Sequence, residues 1–155
     1  GRPKVPNFTD AKQKFEIGKG ILLNEGKDVS IIATGHLVWP AIEAGMALAE
    51  KGIDAEIINI HTIKPLDNQI ILNSVRKTKC VVTAEEHQKN GGLGDSVAQL
   101  LSAELPSPIE YVAVDDKFGE SGPPQDLMDK YGLNTEAIVK AAEAAVLRRW
   151  FFATT

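Results

Sequence analysis

A chain of 155 residues suits a single domain, one large enough to bury roughly 68–70% of its unfolded surface. Its 43% apolar and 25% charged residues exclude the disordered and fibrous classes, and no apolar run approaches a membrane span. With 17 basic against 21 acidic side chains, a net charge of −4 and no basic cluster longer than Arg148 and Arg149, nucleic acid is excluded as a partner. The single cysteine, Cys80, rules out an internal disulfide, and with no signal peptide at the start it points to a reducing compartment, the cytoplasm.

Residues Gly1 to Lys14 carry Pro3, Pro6, Asn7 and Asp10 without periodicity and read as the tail of a linker, so the domain proper spans 15–155. A short strand over Gly20 to Leu23 is followed by the turn formers Asn24, Glu25 and Gly26 and by the apolar run Val29 to Thr34. Taken alone, this order predicts a hairpin. Gly35 and His36 lead into a helix from Val38 to Lys51, with Pro40 tolerated in its first turn and Gly52 placed to end it. Ala55 to Ile60 is the next apolar strand, and His61 to Pro65 make a turn. Asp67 can cap a helix reaching Thr78.

Cys80 to Ala84 reads as a strand covered on both faces. Glu85, Glu86 and His87 follow it, then Gly91, Gly92 and Gly94, and from Asp95 the residues Val97, Leu100, Leu101 and Leu105 recur at helical spacing. Strand, glycine turn and helix N-terminus together invite an anion-binding reading. The dinucleotide fingerprint fails, however, because a third glycine is required where Val97 stands, and no Gly-Lys-Ser or Gly-Lys-Thr occurs. The default role of these glycines is close packing of helix on strand. Pro108 to Val114 adds a strand, Asp115 to Pro124 a polar loop, and Gln125 to Tyr131 a short helix stopped by Gly132. Asn134 or Thr135 then caps a terminal helix with Ile138, Ala142, Ala145 and Val146 on one face, and the apolar ending Trp150 to Phe152 covers a partner or docks on the core. Buried-type strands separated by helices specify an α/β fold with a parallel sheet and helices on both faces.

All three histidines, His36, His61 and His87, directly follow strands, which puts them at the carboxyl edge where open α/β sheets bind ligands. Imidazoles beside Glu85 and Glu86 suit zinc or iron, but no H-x-H or H-x-x-x-H pair exists, so capping and packing are the default roles. The adjacent Glu85 and Glu86 point apart in extended chain, and at least one of them is structural. No G-x-S-x-G elbow occurs, and Cys80 has no activating neighbour in sequence. The edge formed by Gly35, His36, His61, Glu86, His87 and Gly92 is therefore the candidate ligand or interface surface.

Three segments carry a family likeness: DVSIIATGHLVWPAIEAGMALAEKGIDAEIINIHTIKPLD, VVTAEEHQKNGGLGDSVAQLL and VDDKFGESGPPQDLMDKYGL. Together they resemble the C-terminal domain of transketolase-type thiamine diphosphate enzymes, a domain that also ends 2-oxoacid dehydrogenase E1 beta and 1-deoxyxylulose-5-phosphate synthase. The E-E-H triplet and the N-I-H-T segment are more similar to transketolase, especially to the C-terminal section of a split transketolase. The likeness implies a three-layer α/β/α fold with a mostly parallel five-stranded sheet in the order 1-3-2-4-5, its first strand antiparallel and away from its sequence neighbour. It also implies a parent transferase of the pentose phosphate pathway that moves a two-carbon ketol unit between sugar phosphates as a homodimer. In that parent, thiamine diphosphate and a divalent metal sit between diphosphate- and pyrimidine-binding domains that precede this one. No catalytic, cofactor-binding or metal residue of the family transfers to these positions, so the fragment is expected to bind no cofactor and to be inactive alone, with an assembly or regulatory role. The opening RPKVPNF is similar to the linker leaving the pyrimidine-binding domain.

Overall fold

The computed structural model describes residues 6–9 and 13–153, and the side chains of residues 150–153 lie outside that description, as therefore does the expected docking of Trp150 to Phe152. Five strands, β1 (Ile21–Asn24), β2 (Val29–Ala33), β3 (Ala55–Asn59), β4 (Val81–Gln88) and β5 (Ile109–Val114), form one sheet in the order β1-β3-β2-β4-β5. β2, β3, β4 and β5 pair in parallel, while β1 pairs antiparallel with β3, Ile21 opposite Asn59. The hairpin expected from chain order alone does not form. β2 is buried at every residue and lies between β3 and β4, so both of its edges are taken. β1 alternates between half-buried and exposed residues, the pattern of an edge strand.

The described residues form five α-helices, α1 (Val38–Glu50), α2 (Asn68–Thr78), α3 (Leu93–Glu104), α4 (Pro124–Lys130) and α5 (Thr135–Ala153), of which α1, α2, α3 and α5 cover the sheet and α4 buries no residue. Alternation along the central strands divides the core in two. Ile31, Ala33, Ile57, Val82 and Ala84 meet Ala41, Ala44 and Leu48 of α1 and Ile138, Ala142 and Ala145 of α5. Ile32, Ile58 and Val81 meet Ile71 and Val75 of α2 and Val97 and Leu101 of α3. This is the three-layer α/β/α arrangement.

Helix ends follow local chemistry. Asp67 caps α2 by accepting from the Ile70 N–H, and its other oxygen accepts from the Gly20 N–H at 2.9 Å, tying the helix to the entry of β1. Of the two candidate caps for α5, Asn134 takes the role through Ala137 N–H, while Thr135 donates to Glu43 on α1. At the amino edge, Glu56 is buried and accepts from Lys77 and from the Gly26 N–H, and the Ser30 hydroxyl lies 2.5 Å from Ser74 and 2.6 Å from Thr78. These contacts fasten α2 to the sheet at the end opposite the candidate site.

Candidate functional site at the carboxyl edge

The chain leaves β2 toward α1, which covers one face, and leaves β4 toward α3, which covers the other. Because β2 and β4 are neighbours, their outgoing segments diverge and open a crevice, the position at which open α/β sheets present a binding surface. A cleft of about 290 Å³ lies there, lined by residues of the 34–36 and 85–92 segments together with Ile63.

The glycine turn is arranged differently from the sequence expectation. β4 does not stop at Ala84 but runs on to Gln88, with a bulge against β5 between Ala84 and Gln88. Strand alternation therefore continues through the acidic pair: Glu85 falls on the α3 side and is 1% exposed, and Glu86 falls on the other side and is exposed. The Glu85 carboxylate accepts from the Leu93 and Gly94 N–H groups, each at 2.8 Å. Helix α3 begins two residues earlier than the apolar period indicated, at Leu93, so these are the free donors of its first turn. An internal carboxylate thus occupies the place where an external phosphate could have bound. Gly92 makes room for it, since a Cβ there would lie 2.7 Å from Glu85 Cδ and 2.9 Å from Oε1. The Asp95 carboxylate accepts from the Gly91 N–H at 2.6 Å, closing the turn from the other side.

Of the six residues singled out in the sequence, five line the cleft: Gly35, His36, Glu86, His87 and Gly92. His36 Nδ1 sits 2.5 Å from Glu86 Oε2, joining the two outgoing segments across the crevice, while His87 Nδ1 lies 2.8 Å from the Gln88 carbonyl. His61 does not join them. Its ring lies against Phe15, centroids 4.2 Å apart, its Nδ1 is 2.9 Å from the Thr62 hydroxyl, and its Nε2 is buried without a hydrogen-bond partner among the described residues. Glu85 is the site residue that sequence reasoning left out of the set. Its signal was present in the alternation Val81, Thr83, Glu85, and was lost by ending the strand at Ala84.

The chemistry available is limited. Among the described residues no three His, Cys, Asp or Glu side chains converge to hold a metal ion, and the donors a diphosphate would need are already bonded to Glu85, so the cleft does not fit that group. Cys80 is buried at the opposite end of β4. Burial pushes its thiol up to about 11, the reverse of an activated nucleophile.

The family profile described as "Transketolase, C-terminal domain" matches residues 18–138. The chain belongs to the transketolase C-terminal domain family. It is 43% identical over 150 residues to the 6-deoxy-6-sulfo-D-fructose transketolase subunit SqwH of Clostridium sp. (strain MSTE9), covering 97% of this chain and 46% of that protein. It is 42% identical over 134 residues to 1-deoxy-D-xylulose-5-phosphate synthase 1 of Geobacter sulfurreducens, covering 85% of this chain and 21% of that one. Among solved structures, a split gene transketolase described as an inactive beta4 tetramer superposes with a TM-score of 0.89 at 44% identity, over 92% of this chain and 47% of the other. The domain thus spans less than half the length of these relatives. Their kinship agrees with the strand order and the antiparallel β1 that the family likeness implied. No helix among the described residues is long and apolar enough to cross a membrane.

Proposed function

We propose that this chain is the assembly domain of a transketolase whose other domains hold thiamine diphosphate and a divalent metal and move a two-carbon ketol unit between sugar phosphates. Residues 1–14 serve as the linker and 15–155 as the domain, in a cytoplasmic homodimeric enzyme of the pentose phosphate pathway. Similarity to transketolase subunits over nearly the whole chain supports this parent.

One observation carries the assembly role: the glycine turn that could have cradled a phosphate is filled by the chain's own Glu85. A buried carboxylate with both oxygens bonded to helix N–H groups fixes α3 against β4 and leaves the His36–Glu86 pair as the polar surface of the edge. That occupation of the donors favours assembly over the alternative of a regulatory anion site in another thiamine diphosphate enzyme. Calorimetric titration tests it. The chain alone gives no saturable heat with thiamine diphosphate and magnesium. Mixed with the diphosphate- and pyrimidine-binding half of its parent, it gives an enzyme that takes up the cofactor and transfers ketol units. Saturable cofactor binding by the chain alone overturns the reading.

A further inference from the structure

Away from the cleft floor, the segment entering β1 makes an apolar surface that nothing among the described residues covers. The Glu16–Lys19 turn is closed by a hydrogen bond from the Lys19 N–H to the Glu16 carbonyl, and it lies along the 61–65 turn after β3: the Phe15 ring meets His61, and a Cβ on Gly18 would stand 3.0 Å from Pro65 Cγ. Phe15, Ile17 and Ile63 are 68%, 73% and 37% exposed. Large apolar side chains grouped in this way on two packed turns mark a contact surface. Ile63 also lines the crevice, so the patch continues toward the His36–Glu86 pair.

Two observations indicate the occupant. The family match begins at residue 18, beside Phe15 and Ile17, and the transketolase subunit matched over 97% of this chain has more than half its length outside the match. On the transketolase reading, the domain joined ahead of residue 18 is tethered at the patch, where a short linker keeps its effective concentration high. Charge gives the second. In a chain of net charge −4, the exposed Lys14, Lys19 and Lys64 lie beside the patch against one exposed acid in the same segment, Glu16, and none of the three lysines pairs with an acidic side chain among the described residues. An apolar centre with such a basic rim calls for an acidic-rimmed face opposite.

We infer that Phe15, Ile17 and Ile63, ringed by Lys14, Lys19 and Lys64, form the face on which the preceding domain of the parent enzyme docks, through an apolar contact with an acidic rim. The inference rests on the transketolase reading for the existence of that domain. The experiment uses the parent protein alongside this domain alone, with carbene footprinting and thermal unfolding read on both, and ketol transfer read on the parent. Labelling of Phe15 and Ile17 in the parent is expected to fall about five-fold or more relative to the domain alone, as for side chains passing from surface to interface. F15S/I17S and I63S are expected to lower the unfolding temperature of the parent by more than that of the isolated domain, in which F15S removes only the contact with His61. M46S, altering an exposed methionine of α1 (62% exposed), is expected to leave both unchanged. Equal labelling in the two proteins, or a loss in the parent no larger for F15S/I17S than for M46S, overturns the inference. A parent that transfers ketol units with the patch still labelled refutes the docking face alone. A parent that protects the patch but transfers no ketol unit refutes the transketolase reading and leaves the face standing.

Discussion

Replacing Gly92 by alanine tests the central claim about the carboxyl edge. The backbone at Gly92 is extended, φ −105° and ψ −150°, which alanine accepts, so the cost arises from contact and not from backbone strain. The new Cβ falls against both Glu85 oxygens and 2.7 Å from Cδ, and the carboxylate must withdraw from the Leu93 and Gly94 N–H groups it holds at 2.8 Å. A glutamate tip can swing, but this one is 1% exposed, and withdrawal leaves a buried charge and two helix donors unpaired. Losing one partner of a buried charged arrangement costs about 3–5 kcal/mol, and each charge-assisted bond is worth about 1.5–3 kcal/mol. Taking the lower bound, a loss of about 3 kcal/mol lowers the melting temperature by roughly 6–12 °C for a domain of this size. Urea denaturation followed by circular dichroism measures it. Gly91, at φ +85° and with nothing within 4 Å of the point where a methyl group would stand, costs about 1–2 kcal/mol on substitution by alanine, from backbone conformation alone. Adding G92A to E85A costs less than about 1 kcal/mol, because the clashing group is gone. A G92A protein within about 1 kcal/mol of wild type, or strict additivity with E85A, refutes the capping role of Glu85.

Other outcomes follow from the same structure. Burial opposes the charge on Glu56, but its bonds to Lys77, Ser74 and Gly26 outweigh that and hold its carboxyl below the ordinary value of 4.5. A carboxylate whose pKa is lower folded than unfolded adds stability above the unfolded value and loses it as pH falls through the folded one. E56Q therefore flattens the acid side of the stability profile below about pH 4.5 and costs about 1–2 kcal/mol at neutral pH. D67A removes the α2 cap and its tie to Gly20, with an expected loss of about 1–2 kcal/mol by chemical denaturation. The Cys80 thiol, raised by burial to about 11, stays unreactive to Ellman's reagent at pH 8 until denaturant unfolds the chain; stoichiometric reaction of the native protein contradicts its burial. A thiol pKa that is higher folded than unfolded contributes stability below the unfolded value and loses it as pH rises toward 11, so C80A removes an alkaline loss of stability.

Much of this protein was determined by sequence alone, because the signals are local. The unbroken runs VSIIA and AEIIN demand burial on both faces, and that demand sets parallel strands and flanking helices. Asp67 starts α2 and Gly52 stops α1 by chemistry within a turn. The family segments likewise carried the strand order, which chain order alone misassigned as a hairpin. Tertiary structure decided what depends on partners far away in sequence. Whether β1 pairs with β2 or β3 is a competition for edges, settled when β3 and β4 take the two sides of β2. Whether the turn at 91–94 binds an anion from outside depends on which way Glu85 points. That direction is set by how far β4 stays in the sheet, a property of its pairing with β5 and not of its own residues. The same long-range packing places His36 opposite Glu86 and turns His61 away beneath Phe15. A period-2 pattern states which residues share a face, and only the assembled sheet states where the pattern stops.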